Sequence, residues 1–279
     1  RKITRGRVRS RRPEDVEEEV RTLAEKGYQE IVLTGIHLSS YGTDFKEEPQ
    51  DLLELTKRLH QIPGVKRIRF GSLEPRLITE EFVRELSAME KICPHFHLSL
   101  QSGCDATLKR MNRHYTCEDY LYRCGILRKY FRDPAITTDV IVGFPGETDE
   151  EFAETKKFLE TVHFYEMHVF KYSRRAGTRA DRMPDQVPEP VKTKRSAELL
   201  ALEKEMSKAY RASFLGRETE VLLEEPVEIG GARYMVGHTK EYVKAAVPEA
   251  GGKNCFVRGV LKEFLTDEII YLAENPDLG

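Results

Sequence analysis

Apolar and polar positions follow two periods along the first two thirds of the chain. Residues 51–62 (DLLELTKRLHQI) repeat apolar positions at helical spacing, whereas 30–35 (EIVLTG) and 136–144 are apolar, β-branched runs of the kind found in strands buried on both faces. The pattern predicts helices over 13–26, 51–62, 79–89, 116–131 and 148–162, and strands over 30–35, 67–72, 95–100, 136–144 and 168–172. Pro13 followed by Glu14 and Asp15 is a helix opening. Thr116 with Asp119, and Thr148 with Glu151, have the spacing of capping pairs. Each strand is joined to the next by a helical crossover, which implies a parallel arrangement. Five strands suit an open or partial barrel better than a closed one, and the first helix has no strand before it.

The pattern changes after residue 184. Residues 185–190 (DQVPEP) read as a linker, 191–214 as a long charged helix, and the remainder as five short β-rich segments separated by Gly, Pro and Asn. Such spacing predicts a small barrel or sandwich. The expected organisation is therefore a parallel α/β domain over 1–184, a linker and helix over 185–214, and a small β module over 215–275.

The chain has 279 residues, 39% hydrophobic and 33% charged, with a formal net charge of −2. No apolar run approaches the ~20 residues of a membrane span, and no charged-then-apolar leader opens the sequence. A cytoplasmic, membrane-free protein is expected. The near-neutral total conceals basic clusters: seven Lys/Arg and no acid in residues 1–12, and five against one Asp in 171–182. Such clusters are either solvated surface or contacts to a polyanion. Five cysteines, Cys93, Cys104, Cys117, Cys124 and Cys255, form no tight pair. Cys117 and Cys124 share a helix face, and burial fits them better than metal binding.

Candidate chemistry collects at the strand exits, where α/β folds hold ligands. In GFPGET (143–148), Gly143 and Gly146 permit a tight turn and close backbone approach, and the next helix directs its free amides back toward the site; the alternative is a turn chosen for geometry only. Gln101-Ser102-Gly103 offers neutral groups suited to a ribose, a base or an amino acid moiety. Arg113, with Arg110 one turn before it, either places a cation over that mouth or is a surface arginine. Ser72 and Glu74 follow the second strand, Glu74 being suited to accept two ribose hydroxyls, and Thr34 and Gly35 follow the first. Asp139, inside an apolar strand, needs a partner or ligand if it points inward. His37, His95, His97 and His168 show no ligand spacing and read as packing or mouth residues.

Taken together, RGRVRSRRPEDV, EIVLTGIHLSSYG, HLSLQSGCDATLKRMNRHYT, DVIVGFPGETDEEF and YSRRAGTRA, with the terminal β module, resemble the methylthiotransferase family of radical S-adenosylmethionine enzymes. GIHLSSYG and SLQSGCD are most similar to the branch that modifies threonylcarbamoyladenosine next to the anticodon of tRNA. The resemblance implies a partial (β/α)6 barrel, here without its first strand, followed by a small RNA-binding β-barrel of the TRAM type. It implies S-adenosylmethionine across the strand ends, beside Thr34, Gly35, Ser72, Glu74, Gln101, Arg113, Asp139, Gly143 and Gly146. The family cleaves this cofactor at a 4Fe–4S cluster, activates an adenine C–H and installs methylthio at C2, with a second cluster taking part in sulfur transfer. A sulfur donor and an electron donor are implied. The family's CxxxCxxC loop lies just upstream of RGRVRSR, and this chain begins inside that stretch, so the cluster ligands are expected to be missing and the chain inactive alone. Expected tRNA contacts are Arg5, Arg7, Arg9, Arg174 and Arg175, with Tyr234, His238, Tyr242 and Lys244 in the terminal module, where the tyrosines serve equally well as barrel core. Two rival readings remain: a non-catalytic RNA-binding protein, and an unrelated barrel enzyme whose GFPGET turn grips a phosphate.

Overall fold

A computed structural model describes residues 8–45, 51–249 and 252–275. The α/β part alternates as expected: α1 (Pro13–Glu25), β1 (Glu30–Leu33), α2 (Leu52–His60), β2 (Arg67–Phe70), β3 (Ser72–Leu73), α3 (Glu80–Ser87), β4 (His95–Leu98), α4 (Asp105–Arg110), α5 (Cys117–Tyr130), β5 (Ala135–Val142), α6 (Asp149–Val162) and β6 (Glu166–Lys171). Local chemistry fixes the helix starts. Asp51 and Thr79 accept from the third amide of α2 and α3, and both Thr116–Asp119 and Thr148–Glu151 close reciprocal capping boxes, each side-chain cap contributing about 1 kcal/mol.

All strand pairs in this part are parallel, ordered β1-β2 and β3-β4-β5-β6. The strand expected over 67–72 divides at Gly71, whose amide donates to Leu33 O at 2.8 Å. Before that point the chain follows β1, and after it β3 joins β4. A short helix, α4, follows the third strand exit, where the sequence pattern did not separate it from α5. Among the described residues no helix is long and apolar enough to cross a membrane.

Helix α7 (Glu189–Ala212) runs from the linker along β6 to the terminal module, where β7 (Glu218–Ile229), β8 (Ala232–His238), β9 (Lys244–Pro248), β10 (Phe256–Phe264) and β11 (Ile270–Glu274) close into a five-stranded barrel. Strands approach closely there: a Cβ on Gly237 would lie 1.9 Å from Leu222 O, so only glycine fits. The barrel has its own core of Phe214, Val221, Leu223, Met235, Val243, Ala245, Val247, Leu261, Ile270 and Leu272.

The barrel is clamped to the amino end of β2 by two buried arginines. Arg67 donates to His238 O at 2.8 Å and Glu220 O at 2.7 Å, with its guanidinium 4.7 Å from the Phe256 ring centre. Arg69 donates to Glu30 at 2.7 Å and Lys240 O at 2.9 Å and lies 4.7 Å from the Tyr242 ring centre. Cations this deeply desolvated need partners, and here backbone carbonyls of one module take bonds from the terminal guanidinium nitrogens of the other.

Candidate functional site

At the opposite, carboxyl ends of the strands lies a cleft of about 380 Å³ whose walls include His37, Ser72, Glu74, Ser99, Gln101, Arg113, Tyr115 and Asp139. Strand alternation puts these groups on one side. Ser72 pairs with His97, so Ser72, His97 and Ser99 project to the same face, and Ser99 Oγ bridges Ser72 Oγ at 3.1 Å and Asp139 Oδ2 at 3.2 Å.

Glu74 and Asp139, the two carboxylates of the cleft, are held by neighbours. Glu74 meets His37 Nε2 at 2.6 Å and Arg76 at 3.0 Å, one through each carboxylate oxygen. Asp139 is half-buried. Desolvation raises its pKa, but hydrogen bonds from His97 and Ser99 outweigh that and hold the carboxyl below its ordinary value. Arg113 Nε is buried without a hydrogen-bond partner. Gln101 has φ 77, a left-handed conformation that costs a non-glycine residue about 1–2 kcal/mol. Its amide donates to Asp139 O at 2.8 Å and its carbonyl accepts from Ile141 N at 2.9 Å, so the ladder holds the strain in place.

Several expectations for the site change. Gly143 and Gly146 have φ 72 and 78, as a tight turn needs, yet neither lines the cleft. The Gly143 amide donates to Glu147 Oε1 at 2.9 Å rather than facing a ligand, and a Cβ on Gly143 would sit 2.3 Å from Lys192 Cγ. Glu147 is buried, and desolvation raises its pKa despite the Gly143 amide and Arg195, which contacts it at 2.7 Å. The turn before α6 is thus filled by the protein's own groups. Arg110 leaves the mouth to Arg113 and binds Glu151 through two nitrogens, one at 2.9 Å. Thr34 and Gly35 are exposed beside the cleft, while the next two residues, Ile36 and His37, line it.

The polyanion candidates also separate. Arg5 and Arg7 lie outside the described residues. Arg9, Arg174 and Arg175 are exposed, Arg174 pairing with Asp181 at 2.9 Å. Tyr234 and Lys244 are half-buried on the terminal barrel, with Lys244 3.6 Å from Glu268. His238 and Tyr242 are not on an open face. Their rings stack at 4.2 Å, Tyr242 packs on His95 at 4.8 Å and on Arg69, and His238 Nδ1 meets Glu224 at 2.8 Å. Both rings belong to the seam between the modules.

Sequence reasoning read His37 as a packing or mouth residue, and it lines the mouth; it missed Ser99 and Tyr115, whose hydroxyl donates to Leu100 O at 2.7 Å. It also read the histidines as having no common role. In the fold His97, Asp139 and His168 present ligand-capable atoms within 4.8 Å of one another. The parallel register supplies that proximity: Thr137 pairs with His97, and Asp139 with His168.

The cysteines do not gather. Cys93, Cys104 and Cys124 are buried, and burial pushes the Cys93 and Cys124 thiols up to about 12. An iron–sulfur cluster needs several thiolates converging on one point, and no such group of cysteines exists among the described residues. The residues present do not fit a cluster.

With this geometry in view, known proteins supply the class. A family model described as the Radical SAM superfamily matches residues 1–159, and the chain belongs to that superfamily. It is 44% identical over 242 residues to the threonylcarbamoyladenosine tRNA methylthiotransferase MtaB of Bacillus subtilis (strain 168), covering 86% of this chain and 53% of that protein. It is 45% identical over 221 residues to a tRNA-2-methylthio-N(6)-dimethylallyladenosine synthase of Thermoanaerobacter sp. (strain X514), covering 79% and 47%. The chain thus spans about half the length of the curated relatives it matches. Coproporphyrinogen III oxidase (HemN) from Escherichia coli shares the fold, with a TM-score of 0.51 at 18% identity over 73% of this chain and 51% of that one. Membership of the superfamily sets aside the reading as an unrelated phosphate-binding barrel enzyme.

Proposed function

We propose that this chain is the cofactor- and RNA-binding part of a radical S-adenosylmethionine tRNA methylthiotransferase that adds methylthio at C2 of threonylcarbamoyladenosine beside the anticodon. In this reading the parallel strands are a partial (β/α)6 barrel and the terminal barrel is a TRAM-type RNA module. The observation that carries it is the polar cleft at the strand exits, which brings the Glu74 carboxylate, the Arg113 guanidinium and the neutral hydroxyls and amide of Ser72, Ser99 and Gln101 to one mouth. Sequence similarity to MtaB supports the choice of nucleoside.

Each group then has a task. Glu74 accepts from the ribose hydroxyls, with His37 and Arg76 fixing its two oxygens. Arg113 pairs with the carboxylate of the methionine moiety, a charge-assisted bond contributing about 1.5–3 kcal/mol. Ser72, Ser99 and Gln101 offer neutral partners to the remaining polar atoms. The chain's own contribution is to bind and orient. Arg9, Arg174, Arg175, Tyr234 and Lys244 face the RNA, and Arg5 and Arg7 extend that basic run.

Equilibrium dialysis with labelled S-adenosylmethionine tests the assignment. Saturable binding is expected, unaffected by inorganic phosphate and weakened roughly ten- to a hundred-fold in Arg113→Ala. Equal binding by the variant and the natural chain would refute the role of Arg113, and no binding at all would refute the cleft. For RNA, the slope of log K against log salt should fall by about 0.7–0.9 for each phosphate-contacting arginine removed. An unchanged slope after replacing Arg5, Arg7, Arg9, Arg174 and Arg175 would take them off the RNA surface.

A further inference from the structure

The inner face of the parallel sheet carries a second constellation beside the cleft floor. We infer that His97, Asp139 and His168 form a binding site for one divalent transition metal ion of the Zn2+, Fe2+ or Co2+ type. The inference rests on these side chains alone and is independent of the cofactor reading.

The geometry is close to what such an ion needs. His97 Nε2 lies 3.3 Å from Asp139 Oδ2, and ligand-capable atoms of all three residues fall within 4.8 Å of one another. Ligand atoms on a tetrahedral ion with bonds of about 2.0–2.1 Å stand roughly 3.3 Å apart. One pair already stands at the length of a polyhedron edge; the His97 and His168 rings stack with centres 5.7 Å apart, so a turn of His168 brings its nitrogen to the ion. The three residues rise from one face of β4, β5 and β6 by register, not from loops, and rigid elements of this kind hold ligands in position.

The surroundings of the ligands agree. A metal-bound imidazole keeps its other ring nitrogen engaged, which fixes tautomer and ring orientation. His97 Nδ1 is 3.0 Å from Thr137 Oγ1, and Thr137 is buried. Without an ion, the Thr137 hydroxyl donates to Nδ1 while Nε2–H donates to Asp139. With an ion, Nδ1–H donates to the same hydroxyl and the Nε2 lone pair turns to the metal. A threonine at this position serves both states. Ser99 donates to Asp139 Oδ2 at 3.2 Å and steadies the carboxylate.

The donor set selects the ion. Two imidazoles and one carboxylate suit Zn2+, Fe2+ and Co2+, whereas Mg2+ and Ca2+ prefer all-oxygen shells. Asp139 lines the cleft and His168 is exposed, so coordination positions not taken by protein open toward the cleft. Three protein ligands with an open position are the pattern of a metal that engages a further ligand, not of a closed structural site.

The test titrates the metal-free chain with Co2+ and follows its visible ligand-field absorption, with Zn2+ as competitor. One equivalent should bind without thiolate-to-cobalt charge-transfer bands. His168→Gln, a change at an exposed residue, should abolish the signal. Thr137→Val, of nearly equal shape, should weaken binding about 10–100-fold, with the metal-free variant still folded in a thermal scan. Absence of binding, binding unaltered by His168→Gln, or a thiolate band placing the ion on cysteine would each overturn the proposal.

Discussion

The two ends of the parallel strands use charge in opposite ways. At the amino ends, Arg67 and Arg69 are buried and directed at backbone carbonyls of the terminal barrel. At the carboxyl ends, Glu74, Asp139 and Arg113 are only partly buried and border a cleft, with the two carboxylates steadied by neighbours. A buried cation with its terminal nitrogens satisfied is structural cement. Partly open groups that are oriented yet keep bonding capacity are the makings of a site. The difference separates two arginines that composition alone treats alike, Arg67 in a strand and Arg113 after a short helix.

The largest effect should come from breaking the seam. Arg67→Met removes the guanidinium's bonds to the His238 and Glu220 carbonyls and should cost about 1–3 kcal/mol for each in urea unfolding. Arg113→Met at the mouth should change stability by about 0.5 kcal/mol or less. Similar costs at the two positions would erase the distinction.

Acid should attack the seam next. Burial, reinforced by Arg69, His97, His238 and His168, pushes the His95 imidazole down to about 3. The folded chain holds this ring neutral, while the unfolded chain takes a proton near the ordinary value of about 6.5. Stability should therefore fall as pH drops from about 6.5 toward 3, by about 1.4 kcal/mol per pH unit from this group. Asp139 adds the carboxylate case: its stabilisation is present above the unfolded value of about 3.9 and is lost as pH falls through its lowered folded value. His95→Gln should flatten the upper part of the acid limb in unfolding measured at a series of pH values. An unchanged limb would remove His95 as its source.

These contrasts also show what the sequence could and could not convey. The parallel strands, both capping boxes and the five β segments of the terminal module were legible, because periodicity and capping are local. The division at Gly71 was not, since it depends on which neighbour each half of the strand pairs with. GFPGET was legible as a tight turn, but its occupant was not. A backbone amide facing a ligand and one facing Glu147 share the same local sequence, and Arg195, on a distant helix, decides between them. His238 and Tyr242 carried the chemistry of RNA contacts, yet docking of the modules turned them inward. His97, Asp139 and His168 come from three separate strands and meet only through register.

Two smaller changes sharpen the comparison at the mouth. Gly143→Ala forces a side chain into a left-handed conformation and against Lys192, costing about 1–2 kcal/mol from conformation alone, measurable as a lower Tm. Because the turn lies outside the cleft, S-adenosylmethionine affinity should be unaffected. Gln101→Gly should do the reverse. Release of backbone strain, partly offset by the greater freedom of unfolded glycine, should give a net stabilisation of roughly 0.5–1 kcal/mol, while loss of the side-chain amide weakens binding. A destabilised Gln101→Gly variant would show that the conformation carries no strain.

Hydrogen exchange read by mass spectrometry, with and without S-adenosylmethionine, tests the central claim most directly. Protection should appear in peptides covering 72–76, 99–103 and 112–115, with none at 67–70 or 238–242. Protection confined to the seam or to 143–148, with the mouth unchanged, would contradict the account.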